Sequence, residues 1–152
     1  MSAVYAYTWR RHRVGETLAT IRSPLDTLPV LASLFEGRET EALAVLLLDT
    51  KGHVIGAETV YTGNVSASLV RVGELFRSAV RLNASSVILA HNHPSGDPTP
   101  SPDDLHLTAV ALAAGRLLDI DVLDHVIIAD DGRYASLRDR GVDFDRRPTV
   151  AV

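Results

Sequence analysis

Residues 87–104 read VILAHNHPSGDPTPSPDD, and this stretch limits what the chain can fold into more than any other. Val87 to Ala90 form a short apolar run of the kind that makes a buried strand. Pro94, Gly96, Pro98 and Pro100 then prevent either a strand or a helix from continuing. Ser101, Pro102, Asp103 and Asp104 follow as a helix start, with a hydroxyl N-cap, proline in the first turn and two acids beside it. The chain must therefore run from a strand, through a stiff loop, into a capped helix. If the strand extends through residue 93, His91 and His93 project from one face and Asn92 from the other. The spacing H-x-H-x7-S-x2-D lets a carboxylate in the first helical turn reach both imidazoles. Two imidazoles and a carboxylate, with no thiolate, suit a zinc ion that keeps its fourth position for water. That arrangement is catalytic in kind.

Each half of this pattern has an ordinary explanation when taken alone. Two histidines one residue apart are commonly a solvated or hydrogen-bonded pair, and S-x-x-D is a common capping sequence that needs no metal. Joined at this spacing, after an apolar strand, the two halves are specific.

The motif HNHPSGDPTPSPDD resembles the JAMM motif of the JAB/MPN metalloproteases, in the form carried by bacterial RadC-like proteins. The chain from about residue 22 to residue 140 is similar to the RadC C-terminal domain, with VLLLDTKG at 45–52, ASLV at 67–70, ELF at 74–76 and LDHVII at 123–128. The resemblance implies an α/β (α+β) fold, a single mixed β-sheet flanked by helices, of the cytidine-deaminase-like JAB/MPN type. It implies one zinc per chain on His91, His93 and Asp104, and hydrolysis of a peptide or isopeptide bond. The glutamate that moves the proton in that family lies just before an apolar strand, ahead of the first histidine. Glu41, before ALAVLLLD and 50 residues ahead of His91, matches this placement. Glu58, 33 residues ahead, is the alternative, and Glu39 a more remote one. The resemblance gives Ser101 a second role beside capping, as donor to the developing oxyanion. RadC-like sequences usually read His-Pro where this chain has Arg71 and Val72, which alters a helix entrance and no ligand.

Composition removes several other classes. With no cysteine among 152 residues there is no disulfide, thiolate metal site or cysteine nucleophile, and the zinc deaminases, which need a cysteine pair, are excluded. A net charge of -4 and one short basic cluster, Arg10 to Arg13, do not make a phosphate-binding surface, so strong nucleic-acid binding is not expected. This weakens the competing reading of a DNA-associated accessory module of the RadC type. A non-catalytic MPN scaffold, the third reading, would have lost the histidines or the aspartate. No apolar run approaches a membrane span and the N-terminus lacks the order of a signal peptide, so a cytoplasmic protein acting on a protein or peptide is expected.

The remaining text reads as one domain over 23–140, an N-terminal extension over 1–22 with a short strand about Tyr5, Tyr7 and Trp9, and a loose tail over 141–152. RadC-like proteins usually carry a further N-terminal helical region, and the resemblance implies a stand-alone catalytic domain here. Helices are predicted from Ser23 to Gly37, along the stripe Val72, Leu75, Phe76, Ala79 and Val80, and from Ser101 through Leu105, Ala109 and Leu112 to Gly115. Strands are predicted over 42–49, 53–62, 120–128 and 134–137. His125 reads as a sheet residue near the core, His12, His53 and His106 as solvated, Asp97 as a turn former and Asp103 as a partner of the helix dipole.

Overall fold

The computed structural model describes residues 13–14, 17–63, 65 and 68–145. The strand expected about Tyr5, Tyr7 and Trp9 lies outside the described residues. Strands β1 (Arg13–Val14) and β2 (Thr17–Leu18) pair antiparallel with each other. A 3-10 turn over Pro24–Thr27 leads into α1 (Leu28–Phe35), then β3 (Ala42–Leu48), β4 (Val54–Thr62), α2 (Val72–Leu82), β5 (Ser86–His93), α3 (Pro102–Leu118), β6 (Asp121–Ala129) and β7 (Tyr134–Ser136).

All seven residues of β3 are buried, because its apolar run leaves neither face for water. It lies inside one five-stranded mixed sheet of order β4-β3-β5-β6-β7. Three of the four pairings are antiparallel; β5 and β6 run parallel, joined by the crossover helix α3. Alternation along the strands divides the core in two. Ala44, Leu46, Ile88, Ala90, Val126 and Ile128 meet α1 residues Val30, Leu31 and Phe35 on one face. Leu43, Val45, Leu47, Leu89 and Ile127 meet α2 and α3 on the other.

The helices depart from the predicted stripes in instructive ways. In α2, Leu75, Phe76 and Ala79 are buried as expected, but Val80 is 59% exposed. The buried partner beside them is Ser78, whose hydroxyl donates to the Glu58 carboxylate on β4. In α3 the inward positions are Asp104, Leu107, Thr108, Ala111, Leu112 and Gly115, while Leu105 and Ala109 face outward. Once Asp104 is turned inward, the i+3 and i+4 rule brings 107, 108, 111, 112 and 115 with it. Gly115 is not the stop either, since α3 continues to Leu118 and closes on left-handed Asp119.

Gly115 is instead a point of contact. A Cβ there would stand 2.5 Å from the Ile120 carbonyl oxygen and 3.1 Å from Val122 Cγ2, so α3 can lie against the start of β6 only with no side chain at this position. Of the stretch expected to be loose, residues 141–145 turn back onto the domain. Phe144 is buried in the same core, and Arg138 pairs with Asp145 at 2.9 Å. Gly115→Ala should reduce unfolding free energy by about 1–3 kcal/mol, the usual cost of overpacking. Urea denaturation of the two proteins checks this, with an unchanged midpoint as the contrary result.

Candidate metal centre

His91 and His93 close β5, which runs through both, so their rings share the α2/α3 face of the sheet. His91 lies opposite Leu43 and Ile127 and is 1% exposed, whereas His93 sits at the mouth. Beyond them Gly96, at φ +86°, turns the loop, and its N–H donates to the His93 carbonyl at 3.1 Å. Asp97 is the turn former expected of it, accepting from the Thr99 N–H at 2.9 Å. Arg133 donates to the Gly96 carbonyl, tying the loop to the β6–β7 turn.

The loop delivers the chain to Ser101, whose Oγ accepts from the Asp104 N–H at 3.1 Å while its own N–H donates to Asp104 Oδ2 at 2.8 Å. This capping box aims the Asp104 carboxylate back across the loop. Its Oδ1 is 3.2 Å from His91 Nε2 and its Oδ2 is 3.4 Å from His93 Nε2. Burial alone would push this carboxyl up; whenever His91 is protonated, its hydrogen bond and charge, with the Ser101 N–H, pull it well below the usual carboxylate range.

The proton inventory decides what the cluster wants. His93 Nδ1 donates to the Asp97 carbonyl at 2.8 Å, so its Nε2 carries a lone pair. Thr108 commits its one hydroxyl proton to the Asp104 carbonyl at 2.7 Å, so its Oγ1 meets His125 Nδ1, also at 2.7 Å, as an acceptor. His125 Nε2 is then the acceptor for His91 Nδ1–H, 2.7 Å away, and His91 Nε2 too is left with a lone pair. The two bare nitrogens face each other at 2.7 Å beside a carboxylate. With both rings neutral, three electron-pair donors converge on one point, an arrangement that a bound metal ion, or a proton on one imidazole, would satisfy. Tetrahedral zinc with bonds of about 2.0–2.1 Å spaces its ligands by about 3.3 Å, close to the two histidine–aspartate separations and wider than the 2.7 Å between the imidazole nitrogens, which would part to hold it. His91, His93 and Asp104 therefore form a group that could hold a metal ion.

The first of the glutamates stands close by in the register. Glu41 is half-buried and directly precedes β3, two residues before Leu43, which lies opposite His91. The backbone on either side of it is fastened by Asn92, which accepts from the Ala42 N–H at 2.7 Å and donates to the Thr40 carbonyl at 3.1 Å. Glu58 lies a strand further out, opposite Val45, with its carboxylate engaged by Ser78. Glu39 is exposed in the preceding loop.

A family model, the RadC-like JAB domain, matches residues 21–142. The chain belongs to that family. It is 50% identical over 130 residues to a UPF0758 protein of Roseiflexus castenholzii, covering 86% of this chain and 55% of that one. A UPF0758 protein of Chloroflexus aurantiacus is 50% identical over 125 residues, 82% and 54% of the two chains. One of Methanosarcina mazei is 43% identical over 128 residues, 84% and 56%. The chain thus spans about half the length of the curated relatives it matches. Among the described residues, no helix of this RadC-like JAB domain is long and apolar enough to cross a membrane.

Other positions fall as follows. Arg71, at the altered helix entrance, makes no side-chain cap and donates its N–H to the Tyr61 hydroxyl instead. His53 is half-exposed and paired with Asp49 at 2.9 Å, His106 is exposed, and His12 lies outside the described residues. His125 is buried in the core as predicted, but its contact with His91 was not visible in the sequence. The signal was there in weak form: a histidine inside VLDHVIIA needs buried partners, and Thr108 lies one helical turn beyond Asp104 on the same face. Asn92→Ala should destabilise the domain by about 1–3 kcal/mol, because it strands a buried Ala42 N–H. Faster amide exchange at residues 40–42 than elsewhere in β3 would accompany it; uniform exchange would argue against the clamp.

Proposed function

We propose that this RadC-like JAB domain is a zinc-dependent hydrolase of peptide or isopeptide bonds, with one zinc on His91, His93 and Asp104. The observation that carries the reading is the convergence of two imidazole nitrogens and a carboxylate in a largely buried corner. A zinc ion held there would supply Lewis acidity toward a carbonyl and toward water.

The remaining work falls to the chain. Glu41 takes a proton from the attacking water as its oxygen bonds to the scissile carbonyl carbon, and returns it to the amine as the carbon–nitrogen bond breaks. Asn92 holds the backbone on both sides of Glu41, which supports assigning the role to this residue over Glu58. The Ser101 Oγ accepts from Asp104 and keeps its own proton to donate to the carbonyl oxygen as negative charge gathers there. The substrate of this reading is a protein or peptide; the net charge of -4 does not favour a nucleic acid.

Protein purified without chelator should carry close to one zinc per chain by elemental analysis, and should cleave members of a peptide library in a chelator-sensitive manner. Glu41→Gln should keep its zinc and its fold while hydrolysis falls by about two orders of magnitude. Absence of any transition metal would overturn the reading. Full activity in Glu41→Gln together with loss in Glu58→Gln would leave the metal and reassign the base.

A further inference from the structure

We infer that His125, with Thr108 behind it, is a positioning residue of the metal centre, fixing the tautomer and direction of His91 and binding the two ligand-bearing elements into one unit. The inference rests on the reading of His91, His93 and Asp104 as a zinc site. It assigns work to two residues that the mechanism does not use.

A circuit of directed hydrogen bonds links Asp104 to His91. Beginning at the Asp104 carbonyl, the circuit passes through the Thr108 hydroxyl to His125 Nδ1, then from His125 Nε2 to His91 Nδ1, every link at 2.7 Å. His91 Nε2, left without a proton, stands 3.2 Å from the carboxylate of the same Asp104, two electron-pair donors side by side where a metal would be held. The direction of each link follows from the one before, because the hydroxyl has a single proton and each neutral imidazole one donor and one acceptor. Thr108 and His125 are both 0% exposed, so no water is at hand to substitute for either partner. Reversing any link would protonate His91 at Nε2 and close its lone pair to a metal.

The circuit also crosses between elements. His91 belongs to β5, His125 to β6, and Thr108 and Asp104 to α3. Sheet hydrogen bonds already fix His91 relative to His125, through Leu89↔His125 and His91↔Ile127. The sheet does not bond to α3 in that way. The Thr108–His125 link supplies the missing connection, holding the helix at the rotation that keeps Asp104 turned inward. A histidine serving only to fill the core would have no reason to meet a ligand nitrogen and a helix hydroxyl at hydrogen-bonding distance on opposite edges of its ring.

Zinc affinity of the full chain, measured by competition with a chromophoric chelator, tests this independently of hydrolysis. If wild-type protein fails to bind zinc, the metal reading itself falls. If wild type binds, His125→Leu should weaken affinity by about 10–100-fold, the usual effect of losing a partner behind a metal-bound histidine. His125→Gln, whose side-chain carbonyl can accept from His91 Nδ1–H, should recover most of the loss. Thr108→Val should weaken binding less and add little in the His125→Leu background, since it acts through the same ring. Wild-type affinity in His125→Leu, or equal losses in the Leu and Gln variants with both folded, would overturn the inference while leaving the zinc site standing. Nitrogen-15 NMR of the wild-type histidines without metal needs no variant: His91 and His125 should both appear as the Nδ1–H tautomer, and an Nε2–H His91 would overturn the circuit.

Discussion

A carboxylate that is only 4% exposed must be met by donors or by a cation, and the burial of Asp104 is the condition around which this domain is arranged. It obliges α3 to turn a polar edge toward the sheet, with Thr108 following Asp104 inward and Leu105 left in water. It requires Ser101 as cap, because the same carboxylate that faces the histidines must also accept the Ser101 N–H. It fixes the loop as well, since residues 94–100 must cover the distance from the end of β5 to a helix start aimed back at that end. The apolar core supplies the bulk of the stability, and this one charge decides how the pieces are turned.

The sheet topology explains why one corner can gather so many groups. β5 and β6 run parallel with α3 between them, so the end of β5 and the beginning of α3 share one edge of the sheet. β3 is antiparallel to β5, which brings its first residues to that same edge from the opposite chain direction. Groups 50 residues apart in sequence, such as Ala42 and Asn92, become hydrogen-bonded neighbours there.

Much of this was legible in the chain because it rests on local chemistry. The unbroken run ALAVLLL, the prolines and glycine between His93 and Ser101, and the Ser-Pro-Asp-Asp helix start act over a few residues, and each formed what its chemistry favours. The meeting of His91, His93 and Asp104 was legible for the same reason, the three lying on two adjoining elements. Reading failed where a distant partner overrode a local pattern. Leu105 and Val80 fit apolar stripes and are exposed, because Asp104 and Ser78 answer to groups on other elements. Gly115 looks like a helix stop and is a contact point, which depends on Ile120 arriving from the following strand. The His91–His125 pairing joins residues on β5 and β6, and no spacing announces it.

The ring at position 125 has to accept on one edge and donate on the other, at a fixed separation, in a place water does not reach. Imidazole does this with a rigid frame, and most other side chains offer one of the two functions or neither. Positions 108 and 125 are therefore not independent choices for an evolving sequence. A lineage that replaced the imidazole would leave the threonine hydroxyl facing an apolar wall. A lineage that first lost the hydroxyl would leave the imidazole free to flip its proton toward the ligand. Substitutions at these two sites should be tolerated in company more readily than singly, so among diverged homologues the pair should change together.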